Sequence, residues 1–285
     1  MNMKKYLIIL LAAMATACAQ PGKSVDWKAY NVGRIIFEDQ AKETEGSKIY
    51  AKIIKDPEAY IAEQARDVLA TLYFSPADSI PPVENIYYTL EDVDGISAKD
   101  GEGKDAYVFY STQHIEHSFA GSNVEKVLFE TRGVLLHELT HVYQLSPQGI
   151  GGYDDDRVYW CFIEGMADAV RVANGGFLPE DRPKGGNYMD GYRTTGFFLN
   201  WLKDNKDPDF LRKFNASTLA VIPWSFNGAI KHLDQAIGEL RQELRTLQTR
   251  HHEVDVKLTR LDQDVRAAHR RLDELVRGGG GGGRE

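Results

Sequence analysis

The sequence predicts a mixed α and β chain closed by a coiled-coil helix, and three observations carry that expectation. Short runs rich in β-branched and aromatic residues, at 32–37, 86–93 and 106–110, all fall before residue 111. From residue 122 onward the apolar residues recur at helical spacing. After residue 232 the spacing tightens to a strict 4,3 alternation.

A chain of 285 residues with 42% hydrophobic content can bury one sizeable core with an appended element. The formal net charge of −8 and the absence of a basic stripe argue against a nucleic-acid partner.

The first segment predicts export. Lys4 and Lys5 precede an apolar run at 6–14 that is too short to span a membrane. Small residues Ala15, Thr16 and Ala17 then precede Cys18. Either a signal peptidase cuts after Ala17, or residues 1–18 end in a lipobox and Cys18 becomes the lipidated first residue of a membrane-anchored lipoprotein. Both readings place the mature chain outside the cytoplasm, as a periplasmic, outer-membrane or extracellular protein. The second cysteine, Cys161, lies in the apolar string Tyr159-Trp160-Cys161-Phe162 and reads as a core residue.

Residues 20–27 read as a linker and 32–37 as the first strand. Asp56 followed by Pro57 signals a helix start, and Ile61, Ala65, Val68, Leu69 and Leu72 make one stripe of a helix over 59–73. A strand at 86–93, a turn at Asp94-Gly95 and a polar loop at 98–105 come next. The strand at 106–110 is read as a sheet strand or as the edge along which an extended peptide pairs. His114 and His117 after it read as loop histidines.

Ser122 and Glu125 form a capping box for a long helix that runs to about residue 145, where Ser146-Pro147 stops it. Gly133 within it costs about 1 kcal/mol relative to Ala, which suggests close approach of another backbone. Asp154, Asp155 and Asp156 read as the N-terminal charge of the next helix, at 158–173, which Asn174-Gly175-Gly176 ends. Helices at 189–202 and 208–214 follow, and Ser225 caps one more.

The long helix carries His137-Glu138-Leu139-Thr140-His141. Histidines at i and i+4 share a face, so both imidazoles can reach one ion. Glu138, rotated roughly 100° away, falls beside the ion, where a general base for a bound water belongs. The next helix offers Glu164 as a third ligand, and Asp168, one turn on, can orient a ligand histidine. Two His and one Glu leave a position open for water, the pattern of Zn2+-assisted hydrolysis of a peptide substrate. Tyr192 is the first candidate for stabilising the developing oxyanion and Tyr159 the second.

Three blocks, residues 133–144 around His137, residues 162–168 around Glu164, and residues 191–202 from Gly191-Tyr192, resemble the plant basic secretory protein family and its bacterial relatives. That family is similar to the thermolysin-like gluzincin peptidases. The resemblance covers about residues 25–232. It implies a small α+β, thermolysin-like zincin domain with a sheet ahead of the active-site helix. It also implies zinc on His137, His141 and Glu164, Glu138 as base, and Asp168 behind the ligands.

Residues 233–277 place Ile237, Leu244, His251, Leu258, Val265 and Leu272 at heptad position a, with Leu240, Leu247, Val254, Leu261, Ala268 and Leu275 at d. Arg250 facing Asp255, and Lys257 facing Asp262, suit a parallel homodimer. Composition shifts here too, with 1 Lys against 9 Arg in residues 233–285, and a Gly-rich tail occupies 278–285. The resemblance implies that the domain closes with a final helical segment after the part matching 225–233, and here the heptad region replaces it. Two rival readings are a non-catalytic metal-binding protein and a scaffold whose coiled coil is its function.

Overall fold

The computed structural model describes residues 25–101, 103–119, 124–235, 238, 246, 250, 253, 254 and 256–263. Cys18, the Ser122 cap and most of the heptad positions lie outside them. The chain divides into two compact units between Ala229 and Ile230.

The first unit is an α+β domain. Its strands are β1 (Arg34–Asp39), β2 (Asn85–Glu91), β3 (Ser97–Asp100) and β4 (Asp105–Ser111), in the order β1-β2-β4-β3. The first three strands of that order run parallel, in register through Ile35, Ile86 and Ala106, and β3 pairs antiparallel on β4. Alternation decides which face is covered. Ile86, Tyr88, Leu90, Ala106, Val108 and Tyr110 are buried on one face. On the other, the register partners Tyr87 and Tyr107 stack at 4.8 Å, with Tyr107 exposed.

Helix α1 (Glu45–Ile53) was not foreseen; it lays Tyr50 on the covered face against Phe37 and Tyr88. Helix α2 (Pro57–Leu72) starts as expected, with the Asp56 carboxylate accepting from Ala59 N at 3.0 Å. The strand at 106–110 is present as β4, but it is interior. The edges are β1 and β3, and β3 lies largely in the stretch expected to be a loop. His114 and His117 likewise fall on a helix, α3 (Thr112–Phe119), where His114 faces Glu130 at 3.8 Å.

Helices α4 (Val124–Tyr143) and α5 (Arg157–Ala173) carry the predicted motifs. Asp156 caps α5, accepting from Val158 N and Tyr159 N. The space beside Gly133 is taken by the Arg171 guanidinium, and the expected backbone approach is there as well, from Gly176, where a Cβ would stand 3.1 Å from Gly133 Cα. Helix α6 (Tyr192–Asn205) starts three residues later than the pattern predicts, and α7 (Phe210–Ala220) runs longer. Phe162, Phe214, Trp224 and Phe226 close the core beneath them, and Cys161 is buried as expected. Residues 226–235 are helical, and the Ser225 hydroxyl accepts from Gly228 N at 3.1 Å.

In the second unit the described residues 253, 254 and 256–263 are helical. Among the described residues no helix is long and apolar enough to cross a membrane.

Candidate metal centre

Helix α5 is buried almost all round, and that burial takes two carboxylates with it. Glu164 is 3% and Asp168 4% exposed. Buried charges of this kind need compensation, and α4 supplies it. His137 and His141 lie against them on the facing helix.

The His137 ring is fixed by Asp168, whose Oδ1 stands 2.7 Å from Nδ1 and accepts its proton. Its Nε2 therefore points the other way, 3.2 Å from Glu164 Oε2 and 3.1 Å from His141 Nε2. His141 Nε2 is 3.8 Å from the same carboxylate oxygen. The donor atoms of His137, His141 and Glu164 all lie within 4.8 Å of one another. Bonds of roughly 2.0–2.1 Å in a tetrahedron require donors about 3.4 Å apart, so the three residues fit one small divalent ion. Among the described residues they form the sole group of this type.

His141 is held by Gln144, whose amide nitrogen stands 2.8 Å from Nδ1 while its oxygen is buried without a partner among the described residues. A half-turn of the amide satisfies both groups. Oε1 then accepts Nδ1–H, and Nε2 keeps its lone pair for an ion.

The electrostatics favour positive charge at the shared point. Burial opposes protonation of His137, but hydrogen bonds to Asp168 and Glu164 outweigh it and push its pKa to about 10. Burial and the neighbouring His137 charge drive His141 down to about 3, with Lys99 of β3 acting in the same sense. Glu164 resists the upward pull of burial and falls below the usual carboxylate range through its histidine contacts. Glu138 is not part of the donor cluster. It is buried and its pKa is raised by that burial, while Ser97 on the edge strand β3 lies against it and pulls the other way. A raised carboxylate pKa suits a group that must take up and release a proton.

Two tyrosines complete the site. Tyr153, from the loop between α4 and α5, donates its hydroxyl to Glu164 Oε1 at 2.5 Å. Tyr192 stacks on His137, with centroids 6.1 Å apart and planes 18° apart, and meets the Trp160 ring edge-on. Its backbone sits at φ +40, directly after Gly191 at φ +80. A Cβ on Gly191 would stand 2.3 Å from Trp160 Cζ3, so glycine is required there. Non-glycine residues in this region cost of order 1–3 kcal/mol and cluster at functional sites.

The predicted His137, Glu138, His141, Glu164, Asp168 and Tyr192 are thus all brought together, while Tyr159 is not in contact with them. Sequence reasoning missed Tyr153, Gln144 and Ser97. Of these, only Gln144 left a signal, one turn beyond His141 on the same helix face.

The family model of a peptidase of plants and bacteria, BSP, matches residues 33–246. The chain belongs to this family. No curated protein and no solved structure matches it. The BSP match takes in the whole sheet and every residue of the centre. It also continues past residue 232 to 246, into the stretch with heptad spacing.

Proposed function

We propose that the chain is an exported zinc peptidase of thermolysin-like build that hydrolyses peptide bonds within a polypeptide laid along β3. The observation that carries this reading is the convergence of His137 Nε2, His141 Nε2 and Glu164 Oε2 beside a separate buried carboxylate, Glu138. His137, His141 and Glu164 would hold the ion, which when bound supplies Lewis-acid polarisation and an acidified water. Glu138 takes the proton of the attacking water and returns it to the leaving amine. Tyr192, partly exposed and stacked on His137, offers its hydroxyl to the developing oxyanion. The edge strand β3 has one side free of sheet partners among the described residues, and Ser97 at its start touches Glu138. An extended peptide pairing there would pass the base.

The experiment is metal analysis and cleavage of an unfolded protein by the full chain and by Glu138→Gln. Both proteins should carry about one zinc per chain. The variant should lose cleavage by about 10²–10⁴. Undiminished cleavage removes Glu138 as base. Metal without cleavage in the unsubstituted chain leaves the binding-protein reading instead.

We also infer a parallel homodimer through residues 233–277. Its support is the 4,3 spacing and the exposure of the seam residues Val254, Leu258 and Leu261, at 51%, 58% and 62%. Export, with anchoring through Cys18, completes the proposal.

A further inference from the structure

The turn that carries Tyr192 is gripped from one face of α5. Arg157, Trp160 and Glu164 are spaced three and four residues apart, so all three lie on the same side of that helix. Glu164 is a donor of the metal centre. The other two hold the turn at 190–192.

Trp160 is the middle of this bracket. The benzene half of its indole fills the space beside Gly191, where a Cβ would stand 2.3 Å from Cζ3 and 2.6 Å from Cη2. The Tyr192 ring stands at 82° to the same indole, with centroids 5.2 Å apart, an edge-to-face arrangement that aromatic rings favour. The Arg157 guanidinium lies 4.1 Å over the indole and donates to Asp190 O at 2.9 Å. Asp190, Gly191 and Tyr192 are thus each held by one of two neighbouring side chains of α5.

The turn needs that support. Glycine at φ +80 is at ease, but tyrosine at φ +40 persists only where its surroundings impose it. The Thr195 hydroxyl accepts from Gly191 N at 2.8 Å, which fixes the backbone ahead of Tyr192. The rings of Trp160 and His137 fix where the Tyr192 side chain points. Tyr192 is 47% exposed, so a relaxed backbone would let the phenol turn out into water.

We propose that Trp160, with Arg157 stacked on it, is the positioning residue for Tyr192, keeping the phenol over His137 and beside the metal ligands. Ligand and support then come from one face of one helix, so α5 sets the ion and the oxyanion donor in a fixed relation. The proposal rests on the peptidase reading for the role of Tyr192, but the placement of its ring is tested without turnover.

The full-length protein is labelled with 3-fluorotyrosine, and the Tyr192 signal in the fluorine NMR spectrum is assigned by its loss in Tyr192→Phe. Trp160→Leu should move that signal toward the position of an unstructured tyrosine. Trp160→Phe keeps a ring against Gly191 and should leave most of the shift in place. Arg157→Met, at an exposed position, should move the signal in the same direction by less. In steady-state kinetics Trp160→Leu should lower kcat by about 10–10² with KM unchanged, the loss expected when a reacting group is misplaced by about 1 Å. In the Tyr192→Phe background the same substitution should cost less than about twofold, because groups that act as a unit are not additive. A signal unmoved by Trp160→Leu, or losses that multiply in the double variant, overturns the proposal. Where circular dichroism shows Trp160→Leu unfolded, Arg157→Met decides alone, and an unmoved signal there overturns it. A signal that moves as expected in a chain that cleaves nothing keeps Trp160 as the support of Tyr192 and removes the peptidase reading.

Discussion

Tyr153 and Tyr192 bring two neighbouring hydroxyls to the centre, and they are held in different ways. Tyr153 is bonded to Glu164 itself, so its effect passes through the ligand. Tyr192 is 47% exposed, stands within hydrogen-bond reach of Tyr153, and is aimed by a strained backbone rather than by a bond to a ligand. Tyr192→Phe should therefore lower kcat by about 10² with KM and metal content unchanged, the loss typical of one oxyanion donor. Tyr153→Phe should weaken metal binding instead. Steady-state kinetics with chelator competition separates the two, and a metal loss in Tyr192→Phe would reverse the assignment. Gln144 acts at the same scale. Leucine there keeps the packing but removes the partner of His141 Nδ1, so Gln144→Leu should reduce metal affinity 10–100-fold, the usual loss for an outer partner of a ligand histidine. An unchanged dissociation constant against a competing chelator would show that the ring is held by packing alone.

The centre exists because α4, α5 and α6 approach closely, and the α5–α6 crossing depends on a missing side chain. A Cβ on Gly196 would stand 2.7 Å from Asp168 Cβ and 2.8 Å from its carbonyl carbon. Backbone at that distance cannot step aside as a flexible side chain can. Gly196→Ala should lower stability by about 1–3 kcal/mol, as overpacking does, and should also weaken metal binding because the displaced residue is the partner of His137. Urea denaturation and the chelator assay measure the two effects, and a stable variant with full affinity would refute the coupling. Helices of this kind were legible because the 3.6-residue period and the ligand chemistry sit in the same residues. His137, His141, Glu164 and Asp168 needed only the two helices to face each other. The edge strand was not legible. Ser97-Ala98-Lys99-Asp100 holds no β-branched or aromatic residue, and its strand form comes from pairing with β4. Helix α6 was placed too early because Gly191 and Tyr192 leave helical geometry at a point where the apolar pattern continues. Tyr153 reaches Glu164 through a loop whose path is a tertiary outcome, which spacing does not encode.

At the scale of the molecule, the question is what the heptad stretch adds to a domain whose centre is complete within the first unit. The family match ends at 246, so residues beyond it can be altered without touching the matched domain. Leu258 and Leu261 are exposed in the single chain and occupy successive a and d positions. In water two such leucines per helix gain by pairing, at about 25 cal/mol for each Å² of apolar area covered, and repetition over the heptads makes the association cooperative. A parallel partner also sets Lys257 opposite Asp262, which selects register more than it adds stability. The double substitution Leu258→Asp plus Leu261→Asp places four carboxylates in the seam of a dimer, where neither water nor a cation compensates them. Sedimentation equilibrium should show the full chain as a dimer and this variant as a monomer, with zinc content and kcat/KM per chain unchanged, since every ligand and the base come from one copy. An unchanged mass would end the coiled-coil proposal. A monomer that has also lost activity would mean that the second copy completes the active domain, and the two units would then have to be treated as one machine.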